Sequence, residues 1–283
     1  LFHFIQYADD TCLIASNYNQ NDLICQTNTE LIKVVEWLRT NKLCLNVKKT
    51  KCIYFCLNNS RSIALPKVQL DGELIDFVDC HNFLGIHVDC YLKWDFHVRH
   101  VCNKISKTIG ILYKLKYTVP PHILILLYNA LILPYLMYGN IVWGSACNTR
   151  LVSIFKKQKQ AIRICTLSHY LAHSSPIFHS LNLLNIFDIY KYLVGIFMYR
   201  YINNTLPLSF HDMFQLNSDI HSHFTRNSMK FRLPKPQNSL DIRSIRYTGP
   251  KILNEIENCI SDATTLNVFK RKLNQHFVNS YNT

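Results

Sequence analysis

With 283 residues, 48% of them hydrophobic and 12% aromatic, the chain is long and apolar enough to bury a real core in two or three subdomains, which excludes a disordered tail. Its eleven cysteines, an odd number with no Cys-x-x-Cys pair and mostly apolar neighbours, argue against a disulfide framework and for a reducing compartment. The net charge of +13 is uneven: residues 1–90 hold 8 Lys and Arg against 10 acids, residues 91–170 hold 11 against one, and residues 171–283 hold 12 against 7. A basic excess confined to one middle segment is the footprint of a polyanion partner, with an acidic membrane surface as the competing reading.

In chain order, Phe2, Phe4, Ile5 and Tyr7 read as a strand, and Thr11, Cys12, Leu13 and Ile14 read as its hairpin partner. Asp9 and Asp10 fall in the turn between them. Acids are common turn formers, so an ordinary solvated turn is one reading. Two like charges about 4 Å apart repel by roughly 4 kcal/mol at an effective dielectric near 20, and both flanks read as buried. A bound cation that removes the conflict is therefore the other reading.

Residues 21–42 set Ile24, Thr27, Leu31, Val34, Val35 and Leu38 on one face at helical spacing. A strand is predicted at 51–57, a hairpin at 67–78 turning on Asp71-Gly72, and one more strand at 83–88. From Trp94 the period becomes helical, with Val98, Val101, Ile105, Thr108, Ile109 and Leu112 as the apolar stripe. Residues 151–167 repeat the design, with Ile154, Phe155 and Ile162 inside. The uncharged run 123–144 is long enough to mimic a membrane span. Pro120 and Pro121 suit a helix start and Pro134 breaks it, so two short buried helices are predicted instead. Ser174-Ser175-Pro176 opens another helix, and Ile186, Ile189, Leu193 and Ile196 supply the core of the next. Residues 203–248 are loop-rich, and Leu266, Phe269, Leu273 and Phe277 mark a last amphipathic helix. The fold class is α+β. His97 with His100 and His169 with His173 have metal-like spacings but lack partners at zinc spacing, so no zinc is expected.

Tyr7-Ala8-Asp9-Asp10 in a hairpin, a helix ending in Trp37-Leu38, then Asn41-Lys42-Leu43, Leu45-Asn46 and Lys49-Thr50-Lys51 occur in an order that resembles the reverse transcriptases of non-LTR retrotransposons. FLGIHVD at 83–89, followed by Leu92, Trp94, His97 and Val98 and by KISKTIGILYKL at 104–115, is similar to the family's primer grip and thumb. YNALILPYLMYGNIVWG at 128–144, Thr225-Arg226 and YTGPKILNEI at 247–256 look like the C-terminal part of jockey-like and CR1-like elements. The resemblance covers nearly the whole chain.

It implies a partial polymerase palm, an antiparallel sheet with a covering helix, at 1–90, a basic helical thumb at 91–170, and a C-terminal helical region at 171–283. It also implies two-metal nucleotidyl transfer to a primer 3′-hydroxyl, with two Mg²⁺ or Mn²⁺ ions in the complete enzyme. By that match Asp9 is a metal ligand and Asp10 an auxiliary one, and Tyr7 and Ala8 shape the turn. Lys49 lies at or next to the lysine near the incoming triphosphate, with Lys48 and Lys51 leaving the register open. A basic strand edge is the plainer reading of these lysines. Phe83, Leu84 and Gly85 form the primer grip, or in the plainer reading a piece of core. Arg99, Lys104, Lys107, Lys114, Lys116, Lys156, Lys157, Lys159 and Arg163 are the implied phosphate contacts, with an ordinary solvated face as the plainer reading.

The implied partners are an RNA template, a DNA primer, their hybrid and deoxynucleoside triphosphates, with no membrane. No secretory leader follows Leu1, so an intracellular place in nucleus and cytoplasm is expected. The first strand begins at once, which suggests a chain cut from something longer. The family's site also needs an aspartate from an earlier palm strand, and only six residues precede Tyr7. The chain alone is therefore expected to be inactive as a polymerase. A non-catalytic module that binds RNA or RNA–DNA hybrid, and a membrane or interaction protein, are the alternatives.

Overall fold

A computed structural model describes residues 2–8, 10–55, 67–219, 230–256 and 263–282. They fall into two compact units, residues 1–92 and residues 93–283.

In the first unit, β1 (His3–Tyr7) runs antiparallel to β2 (Asp10–Ile14), with His3 opposite Ile14 and Tyr7 opposite Asp10. The side chain of Asn19 accepts the Asn21 N–H and so caps α1 (Gln20–Thr40). The core gathers Phe2, Leu31, Val35, Val68, Leu70 and Ile75, with Leu13, Ala15 and Val34 packed against it. Of the predicted α1 stripe, Leu31 and Val35 are buried, while Ile24, Thr27, Val34 and Leu38 are half-buried. Asn28 ties helix to sheet: its amide donates to the Lys67 carbonyl at 3.2 Å and accepts the Gln69 N–H at 2.9 Å.

β3 (Lys51–Cys52) is shorter than the predicted strand, because its ladder reaches only the two residues of its parallel partner, β6 (Asp76–Phe77). Residues 53–55 carry no regular structure, and 56–57 lie outside the described residues. β4 (Gln69–Leu70) and β5 (Glu73–Leu74) form the predicted hairpin, with Asp71 at φ 54° and Gly72 at φ 81°.

The single strand predicted at 83–88 is instead the closed end of a hairpin. β7 (Cys80–Phe83) pairs antiparallel with β8 (Ile86–Asp89), and Leu84 (φ 47°) and Gly85 (φ 79°) make the turn. Two successive positive φ values give the mirror-image tight turn whose twist suits a two-residue loop. Leucine is a poor occupant of that position, which is why the run reads as unbroken strand.

The second unit is helical. α2 (Asp95–Leu115) buries all six residues of its predicted stripe and His97 besides. It packs along α6 (Asn148–Cys165), whose inner face is Leu151, Ile154, Gln158, Ala161, Ile162 and Cys165. The uncharged run forms three helices rather than two: α3 (Pro121–Leu131), α4 (Leu133–Met137) and α5 (Asn140–Trp143). Pro121 opens α3 and Pro134 stands in the first turn of α4, as expected. The extra break comes from Gly139 at φ 57°, a conformation cheap only for glycine. Among the described residues no helix is long and apolar enough to cross a membrane.

α7 (Ser174–Ser180) is followed by α8 (Ile186–Ile202), which packs against α4, α5 and α6. Gln158, with no exposed surface, joins three of these elements. Its amide donates to the Tyr128 hydroxyl at 2.9 Å and the Leu184 carbonyl at 2.8 Å, and it accepts the Ile186 N–H at 3.0 Å. A buried amide so fully used fixes the register of the helices around it.

The loop-rich stretch ends earlier than expected. Asn238 caps α9 (Ser239–Arg243), and α10 (Ile245–Glu255) follows directly. The stretch before it is pinned by aromatic edges among Phe197, Tyr201, Phe214 and Phe231. α11 (Leu266–Asn279) closes the chain as predicted, with Phe269 stacked on Tyr199 at 4.5 Å.

Candidate functional site

The first candidate group is the β1–β2 turn. The register leaves two residues, 8 and 9, between the paired Tyr7 and Asp10. Ala8 has φ 52°, a left-handed conformation that costs an ordinary residue about 1–2 kcal/mol. Asp9 lies outside the described residues. Tyr7 is 66% exposed, and Asp10 is exposed with no ion pair among the described residues. The expectation that both flanks are buried is not met, because β1 is exposed along its length. From this ribbon and its flanks Phe2, Leu13 and Ala15 reach the core of the unit, while Phe4, Ile5 and Ile14 face solvent.

Lys49 is exposed in a turn, its N–H donating to both the carbonyl and the side-chain oxygen of Asn46 at 3.1 Å. Lys48 beside it is also exposed, whereas Lys51 is held by Asp76 at 2.6 Å. Of the three lysines, then, Lys48 and Lys49 keep ammonium groups free of ion pairs among the described residues. Phe83, Leu84 and Gly85 sit at the β7–β8 tip, the first two half-buried and the glycine exposed.

The second group belongs to α2 and α6. At about 100° per residue, Arg99, Lys107 and Lys114 fall on one side of α2, opposite the buried stripe, and all three are exposed. Lys104 flanks them, half-buried. Gly110 stands between Lys107 and Lys114, and a Cβ placed there meets no atom within 4 Å. In the middle of an exposed helix such a glycine costs about 1 kcal/mol against alanine, and nothing in the unit packs against it. Lys116 lies over the rings of Tyr113 at 4.2 Å and Tyr117 at 4.5 Å.

On α6, Lys156 is exposed, Lys157 is half-buried, and Lys159 covers the Phe155 ring at 4.7 Å. Arg163 differs from the rest because its Nε donates to the Ala172 carbonyl at 2.9 Å, which commits it to bracing a loop. Asp95, the one acid of residues 91–170, is ion-paired with Arg150. The remaining cations of the two helices therefore face no carboxylate among the described residues.

The histidine pairs do not become a metal site among the described residues, where no three His, Cys, Asp or Glu side chains gather. His97 is buried against Trp143, ring centroids 5.0 Å apart. Sequence reasoning missed a cavity of about 210 Å³ lined by Arg243, Lys191 and two aromatic rings. Its walls come from three separate stretches of chain, and no local pattern announces it.

No family model and no solved structure matches the chain. Two curated proteins of Drosophila melanogaster do. One is the probable RNA-directed DNA polymerase from transposon X-element, 21% identical over 187 residues, or 64% of this chain. The other is the RNA-directed DNA polymerase from mobile element jockey, 23% identical over 163 residues, or 56% of this chain. The chain is thus similar in sequence to two RNA-directed DNA polymerases of mobile elements. The aligned stretches make up 20% and 17% of the two polymerases, so the chain spans about a fifth of the reverse transcriptases it matches.

Proposed function

We propose that this chain is the part of an RNA-directed DNA polymerase that carries the aspartate turn of the palm, the primer grip and a basic thumb. Residues 1–90 are the palm part, residues 91–170 the thumb, and residues 171–283 a C-terminal helical region. The observation that carries the reading is the two-residue reversal between Tyr7 and Asp10, in a chain whose sequence matches two mobile-element polymerases.

The donor set fits a hard divalent cation, since carboxylate oxygens are the ligands that Mg²⁺ and Mn²⁺ take and Asp10 is exposed and unpaired among the described residues. Asp9 and Asp10 would hold the metal. When bound, it supplies activation of a primer 3′-hydroxyl and neutralises charge on the leaving pyrophosphate. Tyr7 and Ala8 set the shape of the turn that presents the acids. Lys49 offers a cation, and a proton, to the triphosphate of an incoming deoxynucleotide. Leu84 and Gly85 present backbone to the primer end, where a side chain at Gly85 would stand in the way.

Two acids at one turn do not suffice for two ions, and a third carboxylate is required from outside the described residues. The chain by itself then binds primer–template but does not extend it. Extension of a DNA primer on an RNA template by residues 1–283 with Mg²⁺ would overturn that requirement.

Arg99, Lys104, Lys107, Lys114 and Lys156 contact the phosphates of template and primer. Each contact contributes about −0.7 to −0.9 to the slope of log affinity against log salt. Replacing Lys104, Lys107 and Lys114 with Gln is expected to weaken binding of an RNA–DNA duplex and to flatten that slope by about 2 to 3, read by fluorescence anisotropy. Unchanged affinity and slope would remove the thumb assignment. Retained duplex binding in a longer protein that has the third acid yet lacks activity favours the second reading, a non-catalytic binder of RNA or hybrid.

A further inference from the structure

We propose that the cavity between residues 144–148, α8 and the turn joining α9 to α10 seats one unpaired nucleotide of a single-stranded nucleic acid, with its base inside and its phosphate on Arg243. The inference rests on the reading of the chain as a nucleic-acid binder and gives the C-terminal helical region a part in it.

Size comes first. The space is about 210 Å³. A cavity of ~150 Å³ takes a benzene ring, and pockets for drug-sized ligands begin near ~300 Å³, so this one suits a single planar ring system. The walls suit a ring as well. Phe187 and Tyr190, one turn apart on α8, give aromatic surface, and Gly144 is among the lining residues. A Cβ on Gly144 would collide with Asn140 and with the Tyr190 ring, so glycine lets the backbone lie directly against that ring.

The polar groups are set for an uncharged, hydrogen-bonding ligand face. The Tyr190 hydroxyl donates to Thr248 Oγ1 at 2.9 Å, and Thr248 in turn donates to the Ser244 carbonyl at 3.0 Å. Burial raises the Tyr190 phenol above its ordinary range, so it stays neutral at physiological pH, and with its proton given to Thr248 it presents an acceptor oxygen to a ligand. Ser145 and Asn148 also line the space. The Asn148 amide is exposed at the mouth, with no side-chain partner among the described residues, and it offers both donor and acceptor.

The charged residues that line the cavity are of one sign. Lys191 and Arg243 line it, and no acid does. Lys191 is divided between Asp188 at 3.7 Å and the Phe277 ring at 5.9 Å. Arg243 has no ion pair among the described residues, so the anion contact falls to its guanidinium, which suits a phosphate. The Cys147 thiol lies between two of the lining residues and accepts a hydrogen bond from Thr149 at 3.3 Å. That bond, followed by the charges of Arg243 and Arg150, holds the thiol below its usual range. Free phosphate would leave the aromatic walls unused, and a paired base cannot enter. A base that stacks on aromatic rings while its phosphate meets a cation is the single-strand mode of recognition.

The test uses residues 1–283 and two probes, a single-stranded RNA octamer and a blunt RNA–DNA duplex, with anisotropy and Cys147 alkylation as readouts. Arg243→Gln is expected to weaken octamer binding about tenfold and to leave duplex binding within twofold, while Arg243→Lys keeps most of the affinity. Asn148→Trp, at an exposed position, blocks the mouth and gives the same selective loss. The octamer slows alkylation of Cys147 in the unaltered chain. Octamer binding indifferent to both Arg243→Gln and Asn148→Trp overturns the nucleotide seat, while duplex binding lost in the Lys104, Lys107 and Lys114 variant still upholds the thumb. Inorganic phosphate that protects Cys147 as well as the octamer does also overturns it, leaving a plain anion site. Failure of the unaltered chain to bind either probe sinks the thumb reading itself.

Discussion

Among the described residues of 1–92 the best-covered aliphatic side chain, Leu70, keeps 3% of its surface, and Phe4, Tyr7 and Trp37 are more than half exposed. In residues 93–283, Ile105, Leu112, Leu124, Trp143, Ile154, Val194 and Phe269 are completely enclosed. The cause is what each element has to pack on, since the 21-residue α1 of the first unit meets only short strands. Strands of two to five residues form isolated pairs, each marginal alone, whereas helices of 17 to 21 residues carry enough turns to stack buried stripes on one another. The acids and lysines assigned to chemistry lie in the shallow unit, and the cations assigned to grip lie on the deep one. Deep packing thus belongs to the helices for which phosphate contact is proposed, and the aspartate turn is left on a lightly packed ribbon.

That contrast can be broken most severely at Trp143. It is fully enclosed, and its Nε1 donates to the Tyr138 carbonyl at 2.9 Å. Trp143→Ala is expected to cost about 3–5 kcal/mol and to unfold residues 93–283 at much lower urea, followed by helical circular dichroism; a loss below about 1 kcal/mol would mean the helical core is not as deep as it looks. Leu31→Ala probes the shallow unit and is expected to cost about 2–3 kcal/mol. Native-state hydrogen exchange should show amides of residues 1–92 opening at lower free energy than those of α2 and α6, and equal protection in the two units would erase the distinction. The smallest effect is expected at the β7–β8 tip. Leu84→Asn removes a left-handed leucine that costs about 1–2 kcal/mol and forfeits about 1 kcal/mol of half-burial. A net gain of about 0.5 kcal/mol follows, and a loss in thermal melting would show that Leu84 is held by packing rather than strained.

The long helices were legible in the sequence because about five turns of repeat leave little room for another reading, and the α2 stripe is met residue for residue. The β1–β2 hairpin was legible because a pair of acids interrupts two apolar runs, but its register was not: Asp10, expected in the turn, is the first residue of β2 and pairs with Tyr7. The β7–β8 hairpin was not legible, since Leu84 carries none of the chemistry that marks a turn. The break between α4 and α5 escaped because five and four residues hold less than two helical turns, too short for a period to be read. The division of labour among the cations was hidden too: nothing in the sequence separates Arg163, tied to a carbonyl, from Lys156, which is open. The Arg243 cavity draws on positions about a hundred residues apart, and only folding brings them together.

The two-residue reversal between Tyr7 and Asp10 also bears on how this sequence can change over time. One residue gained or lost there would turn β2 over and carry Leu13 from the core to water, a penalty that most point substitutions in the same ribbon escape. Copies of this stretch still obliged to fold should therefore keep its length while their letters drift, and gaps at this spot would date the moment a copy stopped being maintained.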